Sequence, residues 1–211
     1  MKGFIFDLDG VIADTAKYQL TAWQKLAREL GFTFDAVHNE RQKGVSRMAS
    51  LEILLEVGNI KGLSQQEKIE LANRKNTYYL DMISKLDRSE ILPGVEEFLK
   101  KIKKRGDKIA LGSASKSGRK IIEQLELEKY FDVIVDGNMI EKPKPSSEVF
   151  TKGAELMGIP YGECVVIEDA KAGIRAAKSA GMSCIGIGDA TILQEADIVI
   201  TSTKELLNLD I

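Results

Sequence analysis

Two aspartates, Asp7 and Asp9, follow a short apolar run near the start of the 211-residue sequence, and Gly10 comes directly after them. Side chains in a strand alternate between faces, so two residues that lie two positions apart point the same way. Carboxylates held so close repel each other, and a divalent cation with a phosphate group would relieve that repulsion. One acid could then attack phosphorus while the other carries a proton. The alternative is an ordinary turn, which also favours polar residues and glycine.

Three later apolar segments also end in polar residues. Ser113 follows the first of them, where its hydroxyl could bind an anion or simply cap a helix. Lys142 follows the second in a proline-bounded stretch, and it could reach a phosphate or remain a solvated loop residue. Glu168 and Asp169 follow the third, where they could bind a cation or cap the next helix. Together with Asp7 and Asp9, these residues supply carboxylate oxygens for Mg²⁺ and a hydroxyl and a lysine for a phosphoryl group.

The elements that must position these residues alternate between strand and helix after residue 92. Short apolar strands separated by helices are typical of a parallel sheet with helices on both faces. The sequence therefore predicts an α/β fold with a doubly wound, Rossmann-like core, in which ligands bind beyond the carboxyl ends of the strands. After the first strand at the N-terminus, the predicted strands are 108–112, 133–135, 164–167, 184–187 and 198–200, and the predicted helices are 95–104, 117–125, 147–157 and 172–180.

The segment 15–86 has a different, helical pattern. Apolar residues from Trp23 onward recur at spacings of three and four until Gly31, and this periodicity favours a core position for Trp23. Further helices are predicted at 47–57 and from Ser64 toward Ile83. The segment thus predicts a small helical cap domain inserted after the first strand. The predicted domains are a catalytic core of residues 1–14 and 87–211 and a cap of residues 15–86.

Composition excludes several classes of function. Lysine and arginine number 30 against 32 aspartate and glutamate, and this net charge of −2 provides no global attraction to nucleic acid or to an anionic membrane. The first apolar run is too short for a secretory signal, and no segment approaches the roughly 20 apolar residues of a membrane span. A cytoplasmic enzyme is therefore expected, with Cys164 and Cys184 as free, buried residues. The only histidine, His38, is expected in an exposed loop. Without a second histidine, the sequence lacks the residues for a typical zinc site and for a Ser-His-Asp triad.

The order and identity of the strand-end residues resemble the four motifs of the haloacid dehalogenase superfamily of aspartyl phosphotransferases. The motifs lie at 7–10, 113, 142 and 168–169, and the helical insertion resembles the small cap domain of that superfamily. Four further segments, 14–16, 43–47, 74–76 and 113–116, are similar to the β-phosphoglucomutase family within it. That resemblance implies an isomerase that interconverts β-glucose 1-phosphate and glucose 6-phosphate. It also implies two cofactors, Mg²⁺ and β-glucose 1,6-bisphosphate.

The resemblance also implies the role of each site residue. Asp7 would be the nucleophile and Asp9 the proton carrier, while Ser113 and Lys142 would stabilise the transferring phosphoryl group. The implied metal ligands are Asp7, the backbone carbonyl of Asp9, Glu168 and Asp169. The implied substrate-binding residues are Thr15, Gln19, Trp23, Lys43, Gly44, Val45, Ser46, Arg47, Lys75, Asn76, Ala114, Ser115 and Lys116.

One departure from the family leaves alternatives open. Gln19 stands where the β-phosphoglucomutase pattern has a histidine near the proton carrier, and glutamine does not titrate near neutral pH. Gln19 could still position the sugar and Asp9 in a mutase, or the protein could be a sugar-phosphate phosphatase. A non-catalytic, phosphate-sensing module is a third alternative.

The expected partners are small phosphorylated sugars, without nucleic acid or membrane, and a monomer is expected.

Overall fold

The computed structural model describes residues 1–42 and 45–211. Its strands are β1 (Gly3–Phe6), β2 (Lys108–Gly112), β3 (Val133–Val135), β4 (Cys164–Glu168), β5 (Ser183–Ile187) and β6 (Ile198–Ile200). They form one parallel sheet in the order β3-β2-β1-β4-β5-β6. The first strand therefore lies inside the sheet, and the chain beyond its carboxyl end faces the ends of β2 and β4. The predicted doubly wound core is confirmed.

Helices cover both faces of the sheet. The helices of the described chain are α1 (Ala16–Glu29), α2 (Ala36–Glu40), α3 (Arg47–Val57), α4 (Gln65–Ile83), α5 (Val95–Lys104), α6 (Gly118–Gln124), α7 (Glu148–Met157) and α8 (Lys171–Ser179). Short 3₁₀ turns lie at Arg88–Glu90, Glu128–Tyr130, Tyr161–Glu163 and Thr203–Asn208. The predicted helices are confirmed to within a few residues at their ends.

Alternation of side chains in β1 divides the core into two layers. Phe4 and Phe6 point to one face, where their ring centroids each lie 6.0 Å from that of Phe98 in α5. Ile5 points to the other face and joins the cluster that contains Phe150 of α7. A Cβ at Gly112 of β2 would lie 2.8 Å from the Phe150 ring, so only glycine permits this close packing. The buried layers hold the end of β1 in a fixed position.

The cap consists of α1 to α4 and has its own apolar cluster. Trp23 and Leu26 of α1 pack with Leu51 and Leu54 of α3 in that cluster, as the spacing predicts. The predicted capping box at the start of α4 is present, since Ser64 and Glu67 bond to each other's backbone N–H groups. The prediction for His38 is wrong in part because this half-buried residue belongs to α2, where its Nδ1 lies 2.7 Å from Asp35 Oδ1.

The two chain crossings between core and cap run side by side. The backbone N–H of Asp14 donates to the Glu90 carbonyl and that of Leu92 to the Ile12 carbonyl, both at 2.9 Å. The Tyr18 hydroxyl donates to Glu90 at 2.7 Å across the same junction. These bonds tie the start of α1 to the return crossing. The proposed domain limits at 14/15 and 86/87 lie close to this junction and stay a prediction.

Two further findings concern the cysteines and the helices of the chain. Cys164 and Cys184 are free and buried, as expected. Within the described residues, no helix combines the length and the apolar character that crossing a membrane requires.

Candidate active site

The acidic pair lies directly beyond β1. The Asp7 backbone N–H donates to the Ile167 carbonyl at 3.0 Å, which extends the pairing of β1 with β4 by one residue, and the Asp7 side chain is buried. Gly10 has a φ of +78°, and a Cβ there would lie 2.4 Å from Asp169 Oδ2. A glycine at this turn therefore brings the acidic pair against the end of β4, as the strand-end argument requires.

Asp7 and Asp9 have different surroundings. Asp9 accepts a hydrogen bond from the hydroxyl of the fully buried Thr15. Burial, and then the nearby Asp7 carboxylate, raise the pKa of Asp9 to about 6, against the lowering effect of the Thr15 bond. Asp9 can therefore hold or release a proton near neutral pH, which is what a proton carrier needs.

The lysine at this site is Lys144, and the prediction of Lys142 is wrong. Lys144 Nζ lies 2.6 Å from Asp7 Oδ1 and 2.5 Å from Glu168 Oε1, and its side chain is buried. Burial alone would lower the pKa of Lys144, but the two carboxylates outweigh it and raise the pKa above its usual value. Lys142 is exposed, and only its backbone N–H is engaged, donating to Glu148 at 2.7 Å.

Three acids could hold a metal ion. Oxygens of Asp7, Glu168 and Asp169 lie within 4.8 Å of one another. Glu168 is fully buried, and burial raises its pKa to about 7 although Lys144 opposes the shift. A Cβ at Gly173 of α8 would lie 1.9 Å from Glu168 Oε1, so a glycine is required for this carboxylate to reach the cluster. Hard carboxylate oxygens in this arrangement suit a small divalent cation. The Asp9 side chain is not part of the cluster.

The loop beyond β2 presents hydroxyl groups. Ser113 Oγ accepts from the Ser115 backbone N–H at 3.1 Å, and Ser115 Oγ accepts from the Ser117 N–H at 3.2 Å. Because the backbone donates to the Ser113 oxygen, the Ser113 hydroxyl hydrogen remains available to an anion. A Cβ at Gly137 would lie 2.4 Å from the Ala114 carbonyl oxygen, so Gly137 lets the loop beyond β3 pack against this one.

Two basic side chains of the described cap residues face this site. Arg47, the first residue of α3, is half-buried, and burial lowers its pKa. Lys75 of α4 is 3% exposed, donates to the side-chain amide oxygen Oε1 of Gln19, and lies 4.6 Å from the Trp23 ring centroid. Burial and the charge of Arg47 lower the pKa of Lys75 to about 7. Tyr79 of α4 lies on the same side, and burial together with Asp9 raises its pKa.

One cleft of about 400 Å³ joins the core site to the cap. The predicted site residues that line it are Asp7, Asp9, Gln19, Trp23, Val45, Ser46, Arg47, Lys75, Asn76, Ser113, Ala114, Ser115, Lys116 and Asp169. Thr15 and Glu168 lie buried behind this wall, and the exposed Lys142 is absent from it. The predicted residues Lys43 and Gly44 lie outside the described part of the chain.

Sequence reasoning missed several residues of the site. Lys144 could have been considered because it has a proline on either side, but Lys142 also precedes a proline. Tyr79 follows Lys75 by one helical turn, so helical periodicity could have placed it on the same face. Asn39 and Gln42 also line the cleft, and no pattern in the sequence distinguishes them from surface amides.

Comparison with known proteins agrees with this geometry. The model of the haloacid dehalogenase-like hydrolases matches residues 4–187. The chain belongs to this family. A β-phosphoglucomutase from Bacillus subtilis is 42% identical over 98% of this chain and 92% of its own length. A phosphorylated carbohydrates phosphatase from Thermotoga maritima is 31% identical over 99% of this chain and 98% of its own.

A solved structure gives the same result for the fold. The crystal structure of a β-phosphoglucomutase from Clostridium difficile superposes with a TM-score of 0.92. It is 42% identical, and the match covers 98% of this chain and 93% of that one. The family fold with its cap is therefore the fold of this protein, and both mutases and phosphatases stand among its relatives.

Proposed function

We propose that the protein is a β-phosphoglucomutase that interconverts β-glucose 1-phosphate and glucose 6-phosphate. The observation that carries this proposal is the division of charge across one cleft. The core wall has the acidic site with its serine hydroxyls, and the cap wall has Arg47 and Lys75. A sugar with a phosphate at each end needs one anion site on either side, whereas a simple hydrolase needs only the first. The 42% identity to a β-phosphoglucomutase supports the same function.

In the first half of the reaction, Asp7 attacks the phosphorus of β-glucose 1,6-bisphosphate. A bond forms between the Asp7 carboxylate and phosphorus, the bond from phosphorus to the sugar oxygen breaks, and Asp9 gives its proton to that oxygen. The phosphoryl group taken in this half is the one on C1, so glucose 6-phosphate is released. In the second half, Asp9 takes a proton from the C6 hydroxyl of an incoming β-glucose 1-phosphate, and that oxygen accepts the phosphoryl group as its bond to Asp7 breaks, which regenerates the bisphosphate. The raised pKa of Asp9 suits both steps.

The buried residues around Asp7 organise the phosphoryl group. Lys144 fixes Asp7 Oδ1, and the Ser113 hydroxyl is free to donate to a phosphoryl oxygen. The cofactor is proposed to be Mg²⁺, held by Asp7, the backbone carbonyl of Asp9, Glu168 and Asp169. This ion would neutralise negative charge that develops on the phosphoryl oxygens. The bisphosphate would serve as both intermediate and activator.

The cap cations are proposed to bind the distal phosphate. Arg47 can donate two parallel hydrogen bonds to phosphate, and Lys75 adds a point charge at the same wall. Gln19 holds Lys75 through its side-chain amide oxygen Oε1, which remains an acceptor at every pH. We therefore propose that Gln19 acts in place of the family histidine by positioning Lys75, without a proton of its own to exchange.

Replacing Arg47 with alanine tests the distal phosphate site. We expect kcat/KM for β-glucose 1-phosphate to fall about 100-fold, since a charged hydrogen-bonding group is lost, and hydrolysis of p-nitrophenyl phosphate to change less than about threefold. The matched control is Arg74→Ala, because Arg74 is exposed on α4, 3.7 Å from Glu29, and does not line the cleft. Equal losses on both substrates would contradict a distal role for Arg47.

A sugar-phosphate phosphatase is the second candidate, and a specific observation favours it. The 31% identical Thermotoga maritima relative is a phosphatase, and it matches nearly the whole chain. In such an enzyme water instead of a sugar hydroxyl would attack the aspartyl phosphate. A non-catalytic, phosphate-sensing module is less compatible with the site, because the acids proposed as nucleophile, proton carrier and metal ligands lie together beyond β1 and β4.

Product analysis separates these functions. The protein is incubated with β-glucose 1-phosphate, Mg²⁺ and a trace of β-glucose 1,6-bisphosphate, and glucose 6-phosphate and free phosphate are measured together. We expect glucose 6-phosphate to exceed released phosphate by at least an order of magnitude, because closure of the cap over a bound sugar would exclude water. Phosphate release without glucose 6-phosphate would contradict the mutase proposal and support the phosphatase. No turnover of any sugar phosphate would support the sensing module.

The proposed enzyme would act in the cytoplasm as a monomer on small phosphorylated sugars, without nucleic acid or membrane. The near-neutral net charge of −2 supports the absence of nucleic-acid and membrane partners, because every anion site then depends on local cations such as Arg47 and Lys75.

A further inference from the structure

The described cap wall of the cleft contains five side-chain amides. Apart from Arg47 and Lys75, its polar residues are neutral, and no carboxylate of the described cap residues lines the cleft. The amide residues on this wall are Gln19, Asn39, Gln42, Asn73 and Asn76. An amide both donates and accepts hydrogen bonds, and it does so without the negative charge that would repel a phosphorylated ligand.

Gln42 differs from the others in how it is held. It is 7% exposed, and its Nε2 donates to the backbone carbonyl of Ser50 at 2.7 Å. A carbonyl oxygen can only accept, so this bond fixes which end of the amide faces Ser50. Oε1 therefore faces away from Ser50, and it is buried without a hydrogen-bond partner among the described residues.

An unpaired buried acceptor is costly. Leaving such an oxygen without a partner costs on the order of 1–3 kcal/mol, and native proteins contain few of them. Gln42 and Ser50 both line the substrate cleft, so this unpaired oxygen belongs to a residue of the cleft wall rather than of the cap interior. Oε1 itself is shielded from solvent in this structure, so a donor on a bound ligand reaches it through a small shift of the cleft wall.

The chemistry of the oxygen restricts what that ligand group can be. At neutral pH a sugar phosphate group is largely a dianion, whose oxygens accept hydrogen bonds and do not donate them. Gln42 Oε1 therefore cannot bind the phosphate, which instead suits the donors of Arg47 and Lys75. The hydroxyl groups of the sugar are the donors that remain.

We propose that Gln42 is a specificity-determining residue whose Oε1 accepts a hydrogen bond from one ring hydroxyl of the bound sugar phosphate. The inference rests on the proposed function for the class of ligand. Gln42 then distinguishes sugars that have this hydroxyl from those that lack it, because a missing donor leaves the buried oxygen unpaired in the complex. When Arg47 and Lys75 bind the distal phosphate and Gln42 binds this hydroxyl, the sugar ring has a defined orientation in the cleft.

The test compares deoxy sugars on two variants. In wild type, kcat/KM is measured for β-glucose 1-phosphate and its 2-, 3- and 4-deoxy analogues, and then again for Gln42→Met, which has nearly the same shape. We expect wild type to lose at least tenfold on one analogue, and Gln42→Met to lose tenfold on the parent sugar with no further loss on that analogue. If the methionine variant does not fold, Gln42→Asn, which withdraws the amide by one methylene, is compared in the same way.

Gln124→Met is the matched control. Gln124 of α6 also donates through Nε2 to a backbone carbonyl, that of Ser84, and also has a buried Oε1 without a partner among the described residues, but it does not line the cleft. Its substitution should leave the analogue profile unchanged. The same analogue profile in wild type and in the Gln42 variant would overturn the inference.

Failure of the proposed function would look different. Wild type would then form no glucose 6-phosphate, and the analogue comparison would be made on phosphate release from the sugar phosphate that is hydrolysed. A hydroxyl preference that disappears with Gln42 would support the inference in that case as well, and an unchanged preference would overturn it.

Discussion

Replacing Lys144 with methionine should lower kcat by a factor on the order of 10² to 10³, as the loss of one preorganised electrostatic group does in other active sites. Replacing Lys142 with methionine should change kcat less than about twofold. The two lysines lie two residues apart in the same loop, and each variant removes one positive charge. The comparison therefore tests the position of the lysine rather than its charge. Steady-state formation of glucose 6-phosphate measures both effects.

The expected difference follows from the contacts of the two side chains. Lys144 Nζ bridges Asp7 and Glu168 at 2.6 and 2.5 Å in a site closed to solvent. Without it, two buried carboxylates face each other without a counter-charge, and breaking a buried ion pair costs about 3–5 kcal/mol. Lys142 is exposed and anchors the loop only through its backbone, so removing its amine leaves that bond to Glu148 in place.

Folding and chemistry can be separated in this experiment. Thermal unfolding of Lys144→Met is expected at a lower temperature than that of wild type without added metal, and Mg²⁺ should narrow the difference because the acids then have a cation. Lys142→Met should unfold like wild type under both conditions. A Lys142 variant as impaired as the Lys144 variant would return the catalytic role to Lys142.

This pair of lysines shows which features of the site the sequence alone predicts and which it does not. Strand alternation places Asp7 and Asp9 on one side, and parallel topology brings Ser113 and Asp169 to the same edge, so these positions could be predicted. The loop 141–145 has neither periodicity nor a register. Which lysine enters the core depends on two bonds from the backbone of Glu141 and Lys142 to the Glu148 side chain of α7, and a local pattern does not specify such tertiary contacts.

The cap shows the same distinction. Helix α3 and the capping box of α4 could be predicted because apolar spacing and Ser64–Glu67 chemistry are local properties. Helix α2 could not, since none of its residues is buried and five residues cannot show an amphipathic period. Gln42, beyond the end of α2, was missed for this reason, and its proposed role depends on a tertiary bond to Ser50 of α3 that orients the amide and leaves Oε1 unpaired among the described residues.

Asp7→Asn should abolish the aspartyl phosphate and reduce turnover by a factor on the order of 10⁴ or more, as removal of a nucleophile does elsewhere. The amide has nearly the same shape as the carboxylate but is not a nucleophile toward phosphorus. After rapid mixing with β-glucose 1,6-bisphosphate and acid quenching, mass spectrometry should detect phosphoprotein in wild type and none in the variant. Substantial residual turnover would refute the assignment of Asp7.

Asp9→Asn is the informative comparison, because the two acids have different tasks. A sugar oxygen leaves as a strong base and needs the proton of Asp9, whereas the acetate released from acetyl phosphate is weak enough to leave without one. The Asp9 variant should therefore still form phosphoprotein from acetyl phosphate while failing with the sugar bisphosphate, and Asp7→Asn should fail with both. If both variants failed with both donors, Asp9 would be needed for the attack itself, and its hydrogen bond from Thr15 would then serve to orient Asp9 toward Asp7.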